Sequence, residues 1–197
     1  MKTKKHFLSL ILIIVGAFAV LFAAGALIYA ELSQSNMRED AIVAVEKIKA
    51  SIPETVERVP EERGNNMMPS LEVDGNNYVA LLEVPQHKFE LPVVSSWKLG
   101  DVEAAPCRYT GSIYDKTLII GSSDEEGQMS FVEDMEIDDV VYLTDMSGGK
   151  YEYKVTAIQH SDNATDEKLK NGEFDLTIFV RSSGESKYLL VRCTVSF

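Results

Sequence analysis

Seven short runs rich in β-branched and aromatic residues fill the C-terminal part of the chain and commit it to an all-β core. They are YVALLEVP (78–85), FELPVV (89–94), KTLIIGS (116–122), DDVVYLTD (138–145), KYEYKVTAI (150–158), FDLTIFV (174–180) and KYLLVRCTVSF (187–197). Polar turns such as MSGGK and SSGES separate them, as chain reversals between strands require. In the last run Leu189, Val191, Cys193, Val195 and Phe197 share one face, and Tyr188, Leu190, Arg192, Thr194 and Ser196 share the other. That period of two predicts a half-buried strand with Cys193 among the core side chains. With short helical turns expected over 126–134 and 164–170, the runs predict a mainly β fold, a closed barrel with one or two short helices.

The N-terminal stretch obeys a different rule. From Phe7 to Ala30 the chain carries no charge, and Ser9 is its one clearly polar side chain. As a helix these residues reach about 36 Å, enough to cross a hydrocarbon core of about 30 Å with some tilt. Lys2, Lys4 and Lys5 precede the stretch and Glu31 comes directly after it. The positive-inside bias therefore predicts a cytoplasmic tail over 1–6, a transmembrane helix over 7–30, and an extracellular remainder. A cleaved signal peptide is the competing reading, since Ala23, Ala24, Ala26 and Ala30 suit a cleavage site. Signal-peptide apolar regions usually run only about 7–15 residues, however. Both readings export the domain.

Residues 31–75 are expected to form a helix and an extracellular spacer. Asn36 suits an N-cap with Glu39 three residues on, and Ile42, Val45 and Ile48 mark an apolar stripe. Pro53 and Pro60 interrupt the chain beyond the helix, and PETVERVPEERGNNMMPS reads as a polar tether. The barrel domain is expected over 76–197. All 31 acidic side chains and most of the 19 basic ones lie beyond residue 30. Such an acidic surface argues against nucleic acid, which demands a basic face. Cys107 and Cys193 show no CxxC pattern and no Cys/His spacing suited to zinc, so neither metal nor cofactor is expected. The two could pair in an oxidising exterior.

Taken in order, several segments resemble the sortases, the membrane-anchored cysteine transpeptidases of Gram-positive bacteria. YVALLEVPQHKFELPVVSSW is similar to the family's opening strand pair, and APCRYTGSIYDKTLIIGSSD to the approach to its histidine motif. FVEDMEIDDVVYLTD resembles the family's next conserved stretch, and FDLTIFVRSSGESKYLLVRC resembles the strand pair bearing the nucleophile and the arginine. The likeness spans roughly residues 76–197. It implies a sortase-like β-barrel in which a thiolate attacks a sorting signal, a histidine handles the proton, and an arginine faces the oxyanion.

The chemistry is where this chain departs from that pattern. Thr177-Ile178-Phe179-Val180-Arg181 stands for the family's T-L-x-T-C, so Arg181 takes the nucleophile's place. Ile120-Gly121-Ser122-Ser123-Asp124 sets Ser123 at the histidine's place. The family's arginine falls on Tyr188, or on Lys187 after a one-residue slip. No catalytic residue is therefore assigned, and Ser123, Arg181 and Tyr188 are expected to line whatever peptide groove remains. Removing the nucleophile or the base from a comparable acyl-transfer site costs roughly a millionfold in rate.

Substitutes are weak. Cys107 has no histidine near it in sequence, Cys193 alternates with core residues, and His6, His87 and His160 lie in the tail, at strand edges or in loops. Ser122-Ser123 and Ser182-Ser183 read as turn residues without an activating base. Asp124, Glu125, Glu126, Asp138 and Asp139 match no calcium loop and read as a solvated rim. The resemblance thus implies a sortase-like protein without sortase catalysis, whose partners would be a sorting-signal-like peptide, a pilin or an active sortase. An active divergent transpeptidase and a purely structural surface module are the alternatives.

Overall fold

The computed structural model describes residues 15–26, 40–62, 66–97, 105–122, 129–170, 172–181 and 188–196. Helix α1 covers 40–51, and ten strands come after it: β1 Val56–Glu57, β2 Leu71–Val73, β3 Asn76–Val84, β4 Phe89–Val94, β5 Cys107–Thr110, β6 Leu118–Ser122, β7 Val140–Asp145, β8 Gly149–Ser161, β9 Leu176–Arg181 and β10 Tyr188–Val195. Two 3-10 turns, Pro85–His87 and Ser130–Asp134, and the one-turn helix α2, Asp166–Leu169, complete the described elements of the unit Glu39–Phe197. All seven strands expected from the runs are present. Ser130–Asp134 and α2 fall within the two stretches predicted to be helical.

Eight of the strands close on themselves. Around the barrel the order is β3, β4, β5, β6, β9, β10, β8 and β7, and β7 returns to β3. Two seams are parallel, β4–β5 and β6–β9, and the other six are antiparallel. Strand β2 extends β3 through a two-residue turn at Asp74 and Gly75, both at positive φ, the geometry that suits a tight hairpin. The barrel interior is filled by alternate residues of its strands, among them Ala80, Leu82 and Val84 of β3, Ile178 and Val180 of β9, and Val191 and Cys193 of β10. Burying a large aliphatic side chain there contributes about 1.5–3 kcal/mol.

The outer surface is covered at two places. Ala44, Val45 and Ile48 of α1 pack on Val73, Tyr78, Leu81, Val94, Cys107 and Met146. The buried stripe runs through Ala41, Ala44, Val45 and Ile48, whereas Ile42 of the expected stripe is 60% exposed. Small alanines let the helix axis approach the sheet, and Ile42 lies about 100° around from Ala41. Asn36, the expected cap, lies outside the described residues. The stretch read as a tether is partly built into the sheet, because β1 pairs in parallel with β8.

A second cluster, Ile119, Leu169, Phe179 and Leu190, covers the outside of β6, β9 and β10. Strand β10 is therefore buried on both faces, not on one. Leu190 is 1% exposed and Arg192 2%.

Residues 15–26 form a separate unit, helical, with Val15, Phe18, Val20, Leu21 and Phe22 exposed. Among the described residues no helix is long and apolar enough to cross a membrane. The rest of the stretch expected to span lies outside them.

Candidate functional site

The barrel's register brings together the ends of the strands that the motifs single out. Arg181, the last residue of β9, is the cross-strand partner of Tyr188, the first of β10. Ser122 closes β6 opposite Val180, one residue before Arg181. Ser123 and Lys187 lie outside the described residues. Arg181 is exposed and Tyr188 half-buried.

Beside this point the outer face is occupied by aromatic rings. Trp97 stacks on Phe179 at 5.5 Å between centroids, and Tyr109 meets both edge-on, at 5.4 Å and 5.7 Å. Tyr188 flanks Phe179 at 6.4 Å. Gly121 makes this possible. A Cβ built there would lie 2.3 Å from the Phe179 ring and 2.6 Å from that of Trp97. The glycine of the motif thus admits two rings onto the sheet, and they fill the face next to Arg181.

Further along the same face, where Ile119 and Thr177 are register partners, a cavity of about 470 Å³ remains. Leu169 and Phe174 contribute to its apolar wall, and Asp115, Lys116, Lys170 and Asp175 bring two charges of each sign. Its size falls in the range of pockets that take small molecules or a few residues of a peptide.

Cys107 is the register partner of Gly121, beside the ring cluster, but neither thiol is exposed as a nucleophile must be. Both cysteines are free, fully buried and in different clusters, so the pairing open at the outset does not occur. Cys107 Sγ donates to the Ala105 carbonyl at 3.4 Å. Cys193 sits in the barrel interior, where burial pushes its thiol well up and away from the thiolate. His87 Nε2 lies 3.0 Å from Asp139 Oδ2, and its ring faces Phe131, pinning the turn after β3 to the approach of β7. His160 is exposed on β8, across from Leu189. Among the described residues no group of three or more His, Cys, Asp or Glu side chains could hold a metal.

Two buried charges escape a reading by sequence pattern. Asp145, wholly buried at the end of β7, accepts from Ser147 N at 2.8 Å, Ser147 Oγ at 2.7 Å and Gly149 N at 2.9 Å on one oxygen. Its other oxygen accepts from Tyr114 Oη at 2.8 Å and Tyr151 Oη at 3.2 Å. Burial alone would raise this carboxyl, but the hydrogen bonds from Ser147, Gly149 and Tyr114 outweigh it and hold the group below the ordinary range. Arg192 is the other charge. It points out of the barrel at Thr177, and burial pulls its ordinarily very high pKa down. A charged residue in the apolar run LLVRCTV was the available signal.

No protein-family model matches the sequence, and no curated protein is similar to it. Solved structures do match. Sortase C from Clostridium perfringens superposes with a TM-score of 0.54 at 15% identity, over 68% of this chain and 78% of that one. Clostridium perfringens sortase C with the C-terminal cell wall sorting motif gives 0.53 at 17%, with the same coverage. SortaseC1 from Streptococcus suis gives 0.54 at 16%, over 61% and 73%. The domain has the sortase-like fold that its motifs implied.

Proposed function

We propose that this chain is a membrane-anchored, extracellular sortase-like protein that binds a sorting-signal-like peptide without transferring it. The observation that carries the reading is the end of β9. There Arg181 occupies the place that the motif alignment gives to the nucleophile, while both thiols of the chain are fully buried, Cys107 on β5 and Cys193 in the barrel interior. A guanidinium cannot attack a carbonyl, and a fully buried thiol cannot reach one. Catalysis is lost with the nucleophile, and the loss at Ser123 and Tyr188 removes the acid/base and the oxyanion partner as well.

Binding is retained in the cavity on the outer face of β6 and β9, which opens along the strands that the motifs mark. Clostridium perfringens sortase C is known with a C-terminal cell wall sorting motif, and a peptide of that chemistry is the ligand proposed for this chain. A pilin or an active sortase bearing such a segment would be the cellular partner. Anchoring rests on the uncharged run from Phe7 to Ala30 and on the exposed apolar side chains of 15–26. The lysines before that run support an extracellular domain.

The test uses the full-length chain in a non-ionic detergent and a fluorescent peptide carrying a cell wall sorting motif. Binding with a dissociation constant on the order of 1–100 μM is expected, with the peptide recovered intact and thiol blockers without effect. Cleavage of the peptide overturns the non-catalytic reading. Absence of binding across a broad panel overturns the binding reading and leaves the structural surface module, which the ring-filled face beside Arg181 favours.

A further inference from the structure

We propose that the outer face of β10 and the end of β8 carry a second site, centred on the Arg192 guanidinium, that takes an oxyanion such as a carboxylate or phosphate group. Arg192 is 2% exposed, and a guanidinium taken out of water is costly unless an opposite charge compensates it. Its partners are all neutral. Nη1 donates to the Leu169 carbonyl at 2.9 Å and to Thr177 Oγ1 at 2.7 Å, Nη2 donates to the Lys168 carbonyl, and Nε donates to Gln159 Oε1 at 3.4 Å. The Phe174 ring lies 5.5 Å away on one side. A guanidinium carries five N–H donors, so one Nη2 donor has no acceptor among the described residues. No carboxylate among those residues pairs with it.

The charge does not stand alone. Arg192 lies in the wall of a cavity of about 580 Å³, together with His160, Ser161, Lys168 and Lys170. Among the described residues that wall holds one carboxylate, Glu167, beside Arg192, Lys168 and Lys170, in a chain whose net charge is −12. Lys168 is held in place, its Nζ donating to Ser161 Oγ at 3.0 Å. Tying the last carbonyls of α2 to β9 accounts for three of the Arg192 hydrogen bonds. It does not account for the remaining donor, or for two lysines gathered beside it on an acidic protein. An oxyanion accounts for both, since it would accept from Nη2 and supply the charge that Arg192 lacks. The cavity exceeds a bare ion, so the ligand is a molecule bearing the anionic group. The site borders the peptide cavity beside β6 and β9 and shares Lys170 with it, but Arg192 lines this site and not that one, so its resonance reads anion binding independently of peptide binding.

The full-length chain, labelled with ¹⁵N in a non-ionic detergent, is titrated with sodium phosphate and, in a second arm, with sodium succinate, at ionic strength matched by chloride. The Arg192 Nε–Hε resonance should move saturably, with a dissociation constant on the order of 1 mM for the better anion. The better arm identifies the group. A Lys168→Gln/Lys170→Gln variant, altered only at exposed positions, should bind about fivefold or more weakly, as the loss of two partly screened charges predicts. A shift reproduced by chloride alone, a response that never saturates, or an unchanged constant in the variant overturns the proposal.

Discussion

Replacing Asp145 by asparagine should cost about 2–4 kcal/mol, because the amide has half the acceptor capacity of the carboxylate and none of its charge. Three donors converge on one oxygen of Asp145, the N–H groups of Ser147 and Gly149 and the Ser147 hydroxyl. A neutral amide oxygen turned toward them holds a third donor far more weakly than a carboxylate oxygen does, so the hydroxyl loses its partner. The two backbone bonds then weaken by about 1 kcal/mol each as the acceptor becomes neutral. The amide NH₂ faces Tyr114 and Tyr151, whose hydroxyls can rotate to accept from it. Asp145→Ala removes that option. It takes the acceptor from all five donors, and the two buried N–H groups alone cost about 1–3 kcal/mol each, a large part of the stability of a domain.

The pH dependence separates this account from simple packing. The folded carboxyl lies below its ordinary value, so the unfolded chain binds the proton more readily in the acidic range. The stabilisation is therefore fully present above the unfolded pKa, near about 4, and is lost as pH falls through the lower folded value. Urea unfolding followed by the fluorescence of Trp97, the one tryptophan of the chain, measures both quantities. The difference between wild type and Asp145→Asn should be constant from about pH 7 to pH 5 and shrink below about pH 4. A variant within about 0.5 kcal/mol of wild type, or a difference that does not shrink in acid, refutes the reasoning.

Tyr153 carries a buried hydroxyl with no hydrogen-bond partner among the described residues, so Tyr153→Phe should raise stability by about 1 kcal/mol in the same unfolding assay. Gly121→Val drives a side chain into the Phe179 and Trp97 rings, which should cost about 1–3 kcal/mol and shift the Trp97 emission of the folded protein. Both thiols should resist a disulfide-exchange reagent under native conditions and react only as the chain unfolds, so the labelling rate should track urea concentration.

The barrel was legible because each interior position sits on a strand whose apolar residues recur in steps of two. KYEYKVTAI shows this directly, with Tyr151, Tyr153 and Val155 inside. Strands β1, β2 and β5 were not legible, being two to four residues long and defined by their neighbours rather than by their own side chains. Burial on both faces misled the reading of β10. Alternation assigned Leu190 and Arg192 to solvent, but α2 and Phe174 cover them, and Arg192 places two of its donors on backbone carbonyls of α2 that local sequence does not reveal. Arg181 and Tyr188 are register partners, a placement that strand pairing and not the motif order supplies. The ring cluster has no such signal, because Trp97 arrives from a distant loop. Only the glycine at 121, unusual within the strand run LIIGS, hinted that something packs closely there.

The reading proposed for this sortase-like barrel is that neither of its buried thiols attacks a peptide. Its most direct test is the intact mass of the full-length protein after incubation with an excess of sorting-motif peptide, with and without an amine acceptor. The predicted result is an unmodified protein mass and an uncut peptide. A covalent acyl adduct that disappears in the Cys107→Ala or Cys193→Ala variant would contradict it.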